Sequence, residues 1–228
     1  MRAKGVDISK WQGGWEYQGN IDFIIVKATE GIGKDPAFDD YLPEVQKVPI
    51  RGAYHYFRTG YNPIQQAENF YNTTKDKGFH FLVVDYEKHN NTLDQDDEIM
   101  LFEFWGRLQL MTDLAIVLYT SPYVFRDNLY AYNRQWATVP LWMAHYNDLD
   151  PQVDGPEIFD SPGWEIWQYS SEGPGEYYGA QSKYIDTNVY NGTVEDMQKW
   201  LGLTYPAPVP DIRAAVIHEC IAALRELL

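Results

Sequence analysis

Residues 81–91 read FLVVDYEKHNN, an apolar run that ends on two acids one residue apart, Asp85 and Glu87. Side chains alternate along a strand, so a strand over this run sends Val83, Asp85 and Glu87 to one face and Leu82, Val84 and Tyr86 to the other. With a rise of about 3.3 Å per residue, the two acidic backbones stand about 6.6 Å apart. Side-chain leaning then brings the carboxyl groups into the range of about 5 to 9 Å used by enzymes that cut glycosidic bonds. Two acids held that close in a poorly hydrated place do not both ionise readily. One keeps its proton to higher pH, which supplies an acid beside a charge stabiliser. The bland alternative is a solvated pair at a strand–loop junction, neutralised by Lys27 or Lys88.

Two further acids fall near strand ends. Asp7 lies near the end of the short run KGVDI, and Asp186 lies in KYIDTNVY, read as a returning final strand. Asp7, Asp85, Glu87 and Asp186 converging from strand ends would form a catalytic group or, alternatively, oxygen ligands for a divalent cation such as Mg²⁺.

The elements that must position these acids follow from hydrophobic patterning. Short runs rich in β-branched and aromatic residues recur at 4–8, 23–27, 51–57, 81–87, 114–120, 140–146 and 164–170, and each predicts a strand. Helical patterns lie between several of them, at 35–48, 62–77, 93–111 and 121–130. The third has the clearest start, with Thr92 and Asp94 as candidate caps. Strands alternating with helices imply parallel neighbours, and FIIVK and FLVVDY are apolar on both faces, as barrel strands between a core and a helical layer should be. Barrel enzymes assemble their sites at the C-terminal ends of such strands, where Asp85 and Glu87 fall. After residue 135 the helical patterns stop, so the barrel is expected to finish on plain strands. TYPAPVP at 204–210 favours an extended linker, which ends the first domain near residue 203. Residues 211–228 place Ile217, Ile221, Leu224 and Leu228 on one face of an amphipathic helix, which either docks on the barrel or carries self-association.

Composition narrows the partners. The 228 residues are 45% hydrophobic and 16% aromatic, enough for one sizeable core. Lys and Arg number 18 against 33 Asp and Glu, a net charge of -15 that repels nucleic-acid phosphates and anionic lipid. One cysteine, Cys220, excludes an internal disulfide framework and a cysteine-based zinc cluster. The opening MRAKGVDISKWQ has no apolar core of a secretory signal, and no run approaches the roughly 18 apolar residues that cross a bilayer. Synthesis in the cytoplasm without membrane insertion is the expectation.

The stretches GVDISKWQG, FIIVKATEG, RGAYHYF, LVVDYE, LYTSPYVF, LWMAHYN and WEIWQYSSEG, followed by IDTNVYNG, resemble glycoside hydrolase family 25 in order and spacing, from about residue 4 to residue 202. These are the Chalaropsis-type lysozymes, or N-acetylmuramidases, of fungi, bacteria and phage endolysins. The resemblance implies an α/β fold: an irregular TIM-like barrel of about five β/α units followed by three further strands. It also implies hydrolysis of the β-1,4 bond between N-acetylmuramic acid and N-acetylglucosamine in peptidoglycan, with no metal and no cofactor. By that carry-over Glu87 is the general acid and base. Asp85 is the nucleophile or the stabiliser of a substrate-assisted intermediate, and Asp7 and Asp186 hold the pair. Tyr54, Tyr119, Trp142, Tyr146 and Gln168 match family segments near strand ends and are nominated for substrate binding, since sugar C–H faces stack on aromatic rings. His55 alternates to the face opposite Tyr54 and Tyr56 and reads as a core histidine. Rival readings are a sugar-binding barrel that has lost its chemistry and a chitinase-like glycosidase. The sequence departs from many phage members in having only the linker and one helix where a wall-binding module would stand, and its charge opposes approach to anionic walls at low salt.

Overall fold

The computed structural model describes residues 1–87, 95–156 and 163–203. The candidate caps Thr92 and Asp94, the linker 204–210 and the segment 211–228 with Cys220 lie outside the described residues.

Among the described residues nine strands form one sheet: β1 (Lys4–Ile8), β2 (Phe23–Glu30), β3 (Gly33–Lys34), β4 (Ile50–Tyr56), β5 (Phe81–Asp85), β6 (Ala115–Thr120), β7 (Leu141–Ala144), β8 (Ile166–Pro174) and β9 (Tyr184–Tyr190). Their order is β1-β9-β8-β7-β6-β5-β4-β2-β3, and a further β1–β2 pairing closes the ring, with the two-residue β3 left outside it. Neighbours from β1 through β2 and β4 to β8 run parallel. Within the closed ring β9 is the antiparallel strand, to both β8 and β1, and outside it the short β3 runs antiparallel to β2. The connection from β8 to β9 spans residues 175–183 and holds one 3₁₀ turn, Glu176–Tyr178, too short for the crossover that a parallel strand needs.

Helices α1 (Phe38–Val45), α2 (Pro63–Thr74) and α3 (Gln95–Gln109) follow β2–β3, β4 and β5, and α4 (Pro122–Val124) continues as a π-helical stretch, Phe125–Tyr130, after β6. Asn62 caps α2 through the Gln65 N–H, with Pro63 in the first turn, where a missing N–H costs nothing. The expectation that helices cease after residue 135 is corrected. A 3₁₀ helix runs over Arg134–Thr138, and α5 (Val194–Trp200) opens on a capping box between Thr193 and Asp196. Only seven residues long, α5 is too short for periodicity to reveal, and its cap was the available signal.

Strand alternation divides the core into two layers. Val6, Ile8, Ile24, Val26, Leu82, Val84 and Leu118 face outward against the helices. Phe23, Ile25, Ile50, Phe81, Val83, Val117 and Ile166 fill the barrel, and α5 plugs its lower end with Met197 and Trp200. Gly5 and Gly52 stand in register beside Phe23 and Phe81, and a Cβ at either glycine would overlap the neighbouring ring. The absence of side chains there is what lets two phenyl rings fill the floor.

Candidate active site

The upper end of the lumen is polar. Asp85 is the last residue of β5, only 5% exposed, between Tyr56 of β4 and Tyr119 of β6 in register. β5 ends at Asp85 and Glu87 lies exposed two residues beyond it, with its side chain hydrogen-bonded to that of Asp85. The charge of Glu87 disfavours ionisation of Asp85, Asp186 and Asp7. Antiparallel β9 brings its start to the end where the parallel strands finish, and Asp186 there pairs directly with Asp7 of β1.

Asp7 is held by a fixed network. Its Oδ2 accepts from Gln168 Nε2 at 2.9 Å and from Asn188 Nδ2 at 2.8 Å. Asn188 Oδ1 accepts from Trp142 Nε1 at 2.8 Å, and Gln168 Oε1 accepts from the Tyr119 and Tyr146 hydroxyls at 2.8 and 2.7 Å. An indole N–H is a donor only, so the Asn188 carbonyl must face Trp142 and its amide must face Asp7. Buried hydrogen bonds of this kind fix one geometry.

Charge in this space is costly. Burial raises the Asp85 carboxyl well above its ordinary value, and the charges of Glu87 and Asp7 push it further. Burial and the charge of Asp186 raise Asp7 as well, against the lowering effect of its two amide donors. Asp186 moves to about 6 through burial and Glu87. The opposing influence on Asp85 is Lys27, whose ammonium makes an ion pair with Glu30 at 2.6 Å and lies 4.8 Å from the centre of the Tyr56 ring. Asp85 Oδ1 is buried and has no hydrogen-bond partner among the described residues.

Lys27 and Glu30 show how irregular backbone builds the site. Three residues apart, they would face opposite sides of a regular strand. The register of β2 against β4 shifts between Lys27 and Thr29, a bulge that turns both Ala28 and Thr29 outward and leaves Lys27 and Glu30 on the inner face. Sequence reading named Lys27 as a partner of the acids but missed Glu30 because it assumes strict alternation, and missed Asn188 because an asparagine in a strand carries no catalytic signature.

Asp7, Asp85, Glu87 and Asp186 thus share one mouth with the five nominated polar and aromatic residues. Of those five, only Tyr146 is open to solvent. Tyr54 is half-buried, while Tyr119, Trp142 and Gln168 are buried beneath the acids, where they hold hydrogen bonds and one another's rings. His55 is a fully buried core residue between Thr29 and Gln66, stacked on Phe104, and burial lowers its imidazole to about 3. Among the described residues no group of three or more His, Cys, Asp or Glu side chains is arranged to hold a metal ion. No helix among them is long and apolar enough to cross a membrane.

Paired acids at the C-terminal mouth of a barrel are the arrangement by which two-carboxylate glycosidases work. The sequence pattern of Glycosyl hydrolases family 25 matches residues 6–176, and the chain belongs to that family. The bacterial lysozyme of Streptomyces coelicolor superposes with a TM-score of 0.75 at 27% identity, over 89% of this chain and 97% of that one. A family 25 glycosyl hydrolase from Bacillus anthracis gives 0.73 at 26% identity, over 86% and 92%. Among curated proteins, "Uncharacterized protein YegX" of Escherichia coli K12 is 27% identical over 209 residues, 86% of this chain and 72% of that protein. The chain is a glycoside hydrolase with the fold of the family 25 lysozymes.

Proposed function

We propose that the enzyme is a peptidoglycan hydrolase that cleaves the β-1,4 bond between N-acetylmuramic acid and N-acetylglucosamine, with net retention at the anomeric carbon. The observation that carries this reading is the unequal placement of the pair, Asp85 buried at the end of β5 and Glu87 exposed two residues beyond it, in a mouth shared with Asp7 and Asp186. Glu87 reaches the solvent side, where a scissile oxygen would lie. It protonates the leaving sugar and afterwards takes a proton from the attacking water.

Asp85 stabilises positive charge developing at the anomeric carbon, either by bonding to that carbon or by steadying the 2-acetamido group as its carbonyl does so. Either route inverts the centre twice, so the product keeps its configuration. Lys27 favours the ionised Asp85 that this role requires, against the burial that opposes it. Asp7 and Asp186 keep the mouth negative, and the Gln168 and Asn188 amides fix Asp7. The natural setting is the bacterial cell wall, reached after phage-mediated lysis or by release from a bacterium.

The test is mass spectrometry of fragments released from purified peptidoglycan and reduced with borohydride, comparing the wild type with Glu87→Gln. New reducing ends on muramic acid, absent with the variant, are expected. Reducing ends on N-acetylglucosamine, or equal release by both proteins, would sink the assignment.

A further inference from the structure

A cavity of about 680 Å³ opens beside the acidic mouth, walled by residues 33–36, by residues 58–61 and by Lys10. It begins where the mouth ends. Glu30 and Arg58 line it, and Glu30 is the partner of Lys27, whose ammonium lies over Tyr56 in the mouth.

Its charge is opposite to that of the mouth. Lys10, Lys34 and Arg58 face Glu30 and Asp35 around this space, in a chain with 18 basic and 33 acidic residues. The Glu30 carboxylate is already shared between Lys27 and Arg58, which hold it at about 2, and buried Asp35 accepts the Ala37 N–H at 2.9 Å. Lys34 also pairs with Asp39, an exposed contact worth little in water. Positive charge is therefore left over for an incoming anion.

The walls are built in advance. Fully buried Gln66 takes the Arg58 N–H on Oε1 at 3.0 Å and donates through Nε2 to the Arg58 and Tyr61 carbonyls at 2.9 and 3.1 Å. His55 and Thr29 hold Gln66 from behind. Tyr61 packs on Gly31, whose φ of +54° only a glycine adopts readily, and Asn69 ties down the Gly31 and Gly33 carbonyls.

We propose that this cavity receives the carboxylate-bearing peptide branch of the glycan strand, an inference that rests on the peptidoglycan reading above. The sugar rings of such a strand are neutral, whereas the peptide hung from the lactyl group of muramic acid carries free carboxylates. A groove that is acidic at the cleaved bond and basic to one side matches that pattern, and its volume lies within the range of about 300 to 1,000 Å³ typical of small-ligand sites. The cavity thus recognises the branch while the mouth handles the sugar bond.

The experiment compares kcat/KM on soluble glycan strands that carry peptide stems with the same strands stripped of stems by an amidase, for the wild type and for a Lys10→Gln, Lys34→Gln double variant. The wild type should prefer the stem-bearing strands, and the variant should lower that preference about fivefold, the scale of two solvent-exposed ion pairs. An unchanged ratio overturns the proposal. In parallel, a free acidic stem tetrapeptide and its fully amidated form are titrated into the wild-type protein by NMR. Saturable binding of the acidic peptide alone is expected, and equal binding of both peptides, or of neither, overturns the proposal. If the wild type cleaves neither glycan, the muramidase reading has failed, and the titration still decides the cavity.

Discussion

The two ends of the barrel lumen are built from the same strands by the same alternation, yet they are stable for opposite reasons. At the floor, Phe23, Ile25, Ile50, Phe81, Val83, Val117 and Ile166 are buried, and each contributes about 2 kcal/mol on leaving water. At the mouth, the same inward direction carries Asp7, Asp85 and Asp186, whose burial and mutual repulsion oppose folding. The floor outweighs the mouth, and this is how one domain holds several carboxylates in a space where they would not gather by themselves. The difference teaches that substitutions at the two ends should separate activity from stability.

The largest separation is expected at Glu87. Glu87→Gln should lower kcat by about 10²- to 10⁴-fold, and its melting temperature should stay close to wild type because the side chain is exposed. A variant that melts early while keeping its rate would reverse the proposed division. At the floor, Gly52→Ala should do the converse, since the new methyl group meets the Phe81 ring. Overpacking of this kind costs about 1 to 3 kcal/mol. Urea unfolding should report that loss, with kcat per folded molecule little changed.

Asp186→Asn sharpens the comparison through pH. The folded carboxyl titrates at about 6 against an ordinary 3.8, so it stabilises the fold relative to its ionised form below about 3.8 and loses that contribution as pH rises through 6. The variant should be more stable than wild type by about 3 kcal/mol at pH 8, with the gap closing by pH 4. A gap that widens toward acid would mean that Asp186 is stabilised as a charge. The smallest effect is expected from Lys27→Met. Loss of the ammonium that lowers Asp85 should move the acid limb of the pH–rate profile upward by about one unit, and an unmoved limb would leave Lys27 a merely structural part.

Much of this arrangement was legible in the sequence. β2 and β5 announced themselves because strands covered on both faces leave uninterrupted apolar runs, and the position of Asp85 at the end of one such run was readable directly. Helix α5 was not readable, because seven residues give periodicity too little length. The shared face of Asp85 and Glu87 was inferred from alternation that stops at Asp85, and the approach of Lys27 to Glu30 depends on a bulge that alternation hides. Burial of Trp142 and Gln168 below the acids reflects tertiary depth, which a strand pattern does not encode.

The antiparallel last strand has a consequence for biosynthesis. Asp7 lies on β1, but its donor Asn188 stands 181 positions later, and β9 is the strand that joins β1 to β8. Contacts so distant along the chain close late and slowly. A nascent or truncated chain that stops before β9 has an open sheet, an Asp7 that lacks its Asn188 donor, and no Asp186. The finished mouth is thereby tied to synthesis of β9, and no fragment that ends before that strand carries it.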